Sequence, residues 1–134
     1  MKITALVERN TNNYYAITVE EPVAGCHFGG YGYSVVEAKT DFMESIHEML
    51  ELAAEEGKTV PPAEDIEVEY IYDLPSFFND FDWINVSAFA KLAGINESRM
   101  RAYKSGLAKA SEKTLKKISD AVKTIATTLS AASL

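Results

Sequence analysis

Apolar residues at every second position mark four short segments in the first half of the chain. Residues 2–8 and 14–20 have the period of a β-strand with one buried face. The intervening residues 10–13 are rich in asparagine, which tolerates the left-handed backbone of tight turns, so we predict a hairpin. Residues 27–33 alternate glycine with tyrosine, which predicts a third strand, and residues 66–72 alternate again, which predicts a fourth.

An amphipathic helix is predicted between the third and fourth strands. Apolar residues recur there every three or four positions, and acidic residues lie off this stripe. Ser34 and Glu37 fit a capping box at its start, and Gly57 stands where a C-terminal cap is expected. The order is therefore β-β-β-α-β. This helix can serve as a right-handed crossover between parallel strands three and four, and it covers one face of the sheet.

The second half of the chain is predicted to be helical throughout. Polar caps and glycine stops divide it into separate helices. In chain order these signals are the caps Ser87, Asn96 and Ser111 and the stops Gly94 and Gly106. Two short helices joined by a glycine-containing turn, with a third packed behind them, are typical of a helix-turn-helix. The apolar segment 74–83 is interpreted as a short helix of this second module, so the predicted domains are 1–73 and 74–134.

Composition excludes several classes of protein. The chain has 134 residues, which allows one or two small domains, and its single cysteine cannot form an internal disulfide. No apolar run approaches the roughly 20 residues that a bilayer span needs. The first nine residues are too short and too charged for a signal peptide. We therefore expect a soluble cytoplasmic protein.

The formal net charge of −7 averages two halves of opposite sign. Residues 1–82 hold four basic side chains against seventeen acidic ones, a net charge of −13. Residues 83–134 hold nine against three, a net charge of +6. Such an asymmetry indicates separate partners for separate modules. We expect the basic half to face phosphate and the acidic half to face a basic protein, the alternative being two independently solvated surfaces.

The helix predicted over residues 97–105 carries candidate DNA contacts. Met100 and Tyr103 can reach a core, while polar and basic side chains lie on the opposite face. Such a face suits readout of the major groove, and the lysines that follow suit phosphate contacts. The alternative is a small helical domain with an ordinary solvated basic face. The candidate DNA-binding residues are Asn96, Glu97, Ser98, Arg99, Arg101, Lys104, Lys109 and Lys113.

The last helix has an apolar seam that extends past the compact module. Its members, from Leu115 to Ala132, are spaced alternately by three and four residues. A heptad-like stripe of this kind favours pairing with a second copy, although a frayed or self-docked tail remains the alternative. The candidate dimerisation residues are Ile118, Val122, Ile125 and Leu129.

Two parts of the chain resemble known families. Residues 87–122 resemble an Xre-type, lambda-repressor-like helix-turn-helix. The β-β-β-α-β order resembles the HicB antitoxin domain, and the whole chain is similar to HicB antitoxins that end in a helix-turn-helix. The segments that carry these resemblances are Ala90–Asn96, Tyr103–Gly106 and Ser111–Ile118 for the first, Gly32–Ala38 for the second, and Leu74–Phe78 for the junction.

This resemblance implies a fold and a function. HicB proteins neutralise HicA, a small basic RNase toxin, and repress their own operon through the C-terminal domain. The implied fold is α+β, with a partial RNase H-like domain followed by an all-α helix-turn-helix domain. The alternative function is a stand-alone transcriptional regulator whose first domain senses a small ligand. Acidic positions and the glycine-rich third strand supply the candidate toxin-binding residues Glu20, Glu21, Tyr31, Tyr33, Glu44 and Glu48.

Similarity to RNase H raises the hypothesis of a metal nuclease. Such enzymes need carboxylates that converge on divalent ions, and the middle of strand one carries none. His27 and His47 do not have zinc-ligand spacing with Cys26. We therefore expect no enzymatic activity, no bound metal and no cofactor.

Overall fold

The computed structural model describes all 134 residues and divides into two compact units, an N-terminal unit (Met1–Asp80) and a C-terminal unit (Phe81–Leu134). Strands and helices together confirm the predicted α+β class. None of the helices has both the length and the apolar content to cross a bilayer. The elements are β1 (Lys2–Arg9), β2 (Tyr15–Val19), β3 (Gly29–Gly32), α1 (Val35–Glu55), a 3-10 turn (Ala63–Asp65), β4 (Glu67–Tyr72), α2 (Leu74–Asp80), α3 (Val86–Ala93), α4 (Glu97–Ser105) and α5 (Glu112–Ala131).

The four strands form one sheet in the order β3-β2-β1-β4. β1 and β2 form the predicted antiparallel hairpin, and Asn13 in its turn has the positive φ of 56° for which asparagine is suited. β2 pairs antiparallel with β3, and β1 pairs parallel with β4. β3 and β4 therefore run in the same direction at opposite edges, and α1 connects the two edges.

α1 covers one face of this sheet and has the predicted ends. The Ser34 hydroxyl accepts the Glu37 backbone N–H at 3.1 Å, and Gly57 follows the helix with φ of 80°. The apolar stripe is buried because it meets the inward residues of β1, β2 and β3. Its buried members are Val35, Ala38, Phe42, Ile46, Leu50 and Ala53.

The glycines of β3 let α1 lie unusually close to the sheet. A Cβ atom on Gly30 would be 2.4 Å from the Phe42 nitrogen, and one on Gly32 would be 2.7 Å from the Ala38 nitrogen. Both glycines are buried against the helix. Glycine in a strand allows another backbone to come close, and here that backbone belongs to the protein's own helix.

α2 belongs to the N-terminal unit, which differs from the predicted boundary at 73/74. Phe78 is buried, and the Asn79 side chain accepts the Val35 N–H at 3.0 Å, which ties α2 to the start of α1. The Lys39 ammonium pairs with Asp80 at 2.7 Å, and the Tyr72 hydroxyl donates to the same carboxylate at 2.6 Å. Burial, and then this hydrogen bond, raise the pKa of Tyr72 well above its ordinary value. The first compact unit consequently ends at Asp80.

The C-terminal unit consists of α3, α4 and α5. Phe89, Met100 and Tyr103 are buried in its core together with Ile118 of α5. Asn85, not the predicted Ser87, caps α3 by accepting the Ala88 N–H at 3.0 Å. The other predicted caps are confirmed, as is the positive φ at the two glycine stops. α3 and α4 are joined by the short turn that begins with Gly94.

Candidate nucleic-acid and partner interfaces

α4 presents its polar face to solvent because its two apolar residues point into the core. Met100 is fully buried and Tyr103 is 6% exposed. The Asn96 side chain accepts the Arg99 N–H at 3.2 Å, so its amide oxygen is occupied in capping the helix. All of the candidate DNA-binding residues are exposed, and they lie at the N-cap of α4, on α4, on the connection that follows, or on the first turn of α5.

Glu97 and Arg101 do not extend independently from α4. They form an i,i+4 ion pair between the Arg101 Nη2 and the Glu97 Oε1. The Ser87 hydroxyl of α3 donates to the same Glu97 oxygen at 2.6 Å and accepts from Arg101 at 3.0 Å. The Ser87 hydrogen bond, and then the Arg101 guanidinium, lower the pKa of Glu97. This cluster, the Ser87–Glu97–Arg101 triad, links the first turn of α3 to the first two turns of α4.

The triad contains one residue that sequence reasoning assigned to another role. The spacing of Glu97 and Arg101 is sufficient to indicate their pairing on a helix. Ser87 joins them only through the packing of α3 on α4, which no local pattern reveals. Ser87 is therefore a positioning residue of this surface and not a helix cap.

The remaining cations of the C-terminal unit are mostly unpaired and exposed. Lys104 lies in the last turn of α4, Lys109 in the connection to α5, and Lys113 in the first turn of α5. Lys116 differs because it pairs with Asp120 at 3.0 Å. The unit holds nine basic residues against four acidic ones, so its surface favours a polyanion.

The predicted dimerisation seam on α5 is only partly available to a partner. Ile118 is 4% exposed, so it belongs to the core of its own unit and cannot be a dimer contact, contrary to prediction. Val122 and Ile125 are half-buried, and Leu129 is 60% exposed. Mainly the second half of the seam is therefore exposed and available to a partner.

Two apolar residues outside α5 adjoin the exposed part of the seam. Trp83 and Leu92 line a groove of about 210 Å³ with Ile125, and they are 68% and 52% exposed. Sequence reasoning missed both. A tryptophan that leads into a short helix was the one available signal, since tryptophan is enriched at interfaces.

The predicted toxin contacts do not form one surface. Tyr31 and Tyr33 lie on β3 and just after it, and they are 50% and 76% exposed. Glu44 and Glu48 lie exposed on α1, which packs on the other face of the sheet. The candidates Glu20 and Glu21 are exposed in the loop after β2. The tyrosines and the α1 glutamates therefore lie on opposite sides of the sheet.

Neither a metal-binding cluster nor a known relative identifies a chemistry for the chain. No three His, Cys, Asp or Glu residues are placed so that they could hold a metal ion together. The free Cys26 is buried. A scan against protein-family models, a search of curated proteins and a search of solved structures each find no match.

Proposed function

We propose that this chain is a two-domain antitoxin that binds a small basic RNase toxin of the HicA type and represses its own operon. One observation carries the proposal. The acidic half and the basic half of the chain correspond to the two compact units of the fold. The N-terminal unit holds four basic residues against sixteen acidic ones, whereas the C-terminal unit is basic. Opposite fields on two compact units suit a basic protein partner and a nucleic acid partner.

The C-terminal unit has the features that a helix-turn-helix requires for binding operator DNA. α3 and α4 are short and are joined by a turn with Gly94 in the left-handed region. α4 exposes Ser98, Arg99, Arg101 and Lys104 to solvent. A helix with this composition suits the major groove, and the following lysines suit the phosphates that fix its register.

A gene-pair experiment tests the proposal. We expect the chain, produced together with the short basic protein encoded beside its gene, to form a complex that survives gel filtration. We also expect the complex to bind the DNA upstream of the gene pair, and the toxin alone to arrest growth. The control is the same production with that neighbouring frame interrupted by a stop codon. Absence of any basic neighbour that binds the chain would refute the antitoxin role and favour a stand-alone regulator.

Within this proposal, the chain binds its operator as a dimer through the second half of α5. Residues 126–134 are all exposed, so deleting them removes the end of the seam without removing core residues. We expect the deletion to halve the particle mass measured by light scattering and to weaken operator binding, because two recognition helices then no longer bind as one unit. Leu107→Ser is the matched control, since Leu107 is 87% exposed and lies outside α5. An unchanged mass after the deletion would show that α5 does not pair.

A further inference from the structure

One face of the sheet in the N-terminal unit is not used by its helices. α1 packs on β2 and β3, and α2 packs on β1 and β4 and also on α1, so both helices lie on the same side. Strand residues alternate in burial, with Ala5, Val7 and Ile17 facing the helices. The residues between them face away, and they form what we call the open sheet face.

The open sheet face carries one aliphatic pair and one group of aromatic side chains. Leu6 and Ile71 are directly opposite one another on β1 and β4, and Ile71 is 48% exposed. On the β2–β3 side, the Tyr14 ring stacks on Tyr31 with centroids 6.1 Å apart and meets Tyr33 edge-on at 5.0 Å. Three clustered tyrosines on the β2–β3 side, together with the aliphatic pair on β1 and β4, have the composition of an interface core, since aromatic residues are enriched there.

The rim of this face is acidic. Glu8, Glu67 and Glu69 are exposed at the same alternate positions of β1 and β4. Lys2, which lies on this face beside Glu67, is paired with Glu69 at 3.3 Å. Carboxylates on this face repel phosphate, and they repel an identical face of a second copy. They attract Arg and Lys, whose cationic groups also bind over tyrosine rings.

The neighbouring sheet edge is closed to an added strand. The Tyr31 N–H donates to an Asp41 carboxylate oxygen at 2.8 Å, and the Tyr33 N–H donates to Glu37 at 2.8 Å. These outward-facing donors belong to the edge strand β3 and to the residue that follows it, and carboxylates of α1 satisfy them. A partner strand at this edge would have to displace both bonds, so docking by strand addition is disfavoured there.

A groove of about 600 Å³ lies beside Glu44 and Glu48, with the half-buried Met43 as its one large apolar lining residue. The solvent side of α1 around this groove is acidic. Its exposed large apolar residues, Val36 and Leu52, are separated by about 24 Å along the axis at 1.5 Å per residue. The glutamates between them, including Glu44 and Glu48, are exposed. Exposed carboxylates without a desolvated centre contribute little to affinity, although they accelerate association.

We infer that the open sheet face, and not α1, is the surface that takes the basic protein partner. The inference rests on the proposed function, because that function supplies a basic partner. Arginine or lysine side chains of the partner bind over the Tyr14, Tyr31 and Tyr33 rings and pair with the carboxylates of the rim. Leu6 and Ile71 are buried in the complex. Of the predicted toxin contacts, Tyr31 and Tyr33 are retained, and Glu44 and Glu48 are left outside the interface.

Titration of two double variants, one on the open sheet face and one on α1, tests this assignment. The probe is the basic protein encoded beside the gene, added to the full chain in a calorimeter. We expect Tyr31→Ser/Tyr33→Ser to raise the Kd about 30-fold, the loss typical of removing an interface hot spot. The matched control on α1, Glu44→Gln/Glu48→Gln, should change the Kd less than about threefold because those side chains remain solvated. Circular dichroism and the thermal midpoint verify that each variant is folded.

Hydroxyl-radical footprinting of the wild-type complex gives a second measurement that needs no variant. We expect Tyr31 and Tyr33 to lose reactivity on complex formation and Met43 of α1 to keep it. If the wild type binds the probe while the tyrosine variant keeps its Kd, or if Met43 is the residue protected, the open sheet face is not the docking surface. If the wild type does not bind the probe, the antitoxin function fails, and this inference fails with it.

Discussion

Replacing Gly30 by alanine should destabilise the N-terminal unit by about 3 kcal/mol, at the upper end for a methyl group forced into a packed core. The added Cβ would lie 2.4 Å from the Phe42 nitrogen and 2.5 Å from the Ala38 carbonyl oxygen. Both are backbone atoms of α1, so no side-chain rotation can relieve the contact. Relief requires α1 to move away from β3, which loosens the packing of the fully buried Phe42 and Ile46.

Gly29→Ala is the matched control for this substitution. Gly29 is on the same strand but on the open face, and its nearest neighbour to an added Cβ is the Ile17 carbonyl oxygen at 3.7 Å. We expect it to be neutral or slightly stabilising, because alanine restricts the unfolded chain. Urea unfolding, monitored by the near-ultraviolet circular dichroism of tyrosine, measures the free energy of unfolding of both variants. The signal reports on the N-terminal unit because six of the seven tyrosines lie there. Equal urea midpoints for the two variants would contradict the close approach of α1.

Local patterns were sufficient to predict the elements of the N-terminal unit. The two-residue period of β1 and β2 and the Ser34 cap depend on neighbours in sequence, and the structure confirms them. The purpose of the β3 glycines could not be predicted in the same way. A glycine-rich strand indicates only that something comes close. Which group does so depends on where α1 packs, and in the structure that group is the backbone of α1.

The compact unit to which α2 belongs could not be predicted from local sequence either. An apolar segment after a strand has no local feature that selects the unit on which it packs. The bonds of Asn79 and Asp80 to residues more than 40 positions away decide it. The α5 seam was likewise ambiguous, because a three-four spacing marks a buried face without distinguishing the protein's own core from a partner. Ile118 serves the core, and Leu129 is exposed.

The candidate DNA surface was predicted residue by residue but not as a network. Helical spacing correctly placed Ser98, Arg99 and Lys104 on the exposed face of α4. It treated Glu97 and Arg101 as separate base-reading groups. Their common bonds to Ser87 make them a single charge-compensated unit, so their effects on DNA binding should be coupled.

Substitutions of Glu97 and Arg101 should therefore move DNA binding in opposite directions. Arg101→Ala should weaken binding to the upstream operator by about 1–3 kcal/mol if the guanidinium reads a base, with a smaller loss on random DNA. Glu97→Gln removes a negative charge at the start of α4 and frees the Arg101 cation. We expect it to strengthen binding to random DNA and to make that binding more salt-dependent, because a further cation then releases counterions from the phosphates. The preference for the operator should fall accordingly.

Fluorescence anisotropy with labelled operator and random duplexes, at two salt concentrations, measures these effects. Lys116→Ala is the matched control, since Lys116 also belongs to an exposed i,i+4 pair of the C-terminal unit, with Asp120. Loss of the Lys116 charge should weaken binding to the two duplexes equally, or leave binding to both unchanged. The reason is that a lysine that touches only phosphate carries no sequence information. If Arg101→Ala behaves as Lys116→Ala does, Arg101 contacts phosphate at most. If Glu97→Gln weakens binding to both duplexes, Glu97 holds Arg101 in its binding position and does not compete with DNA for it.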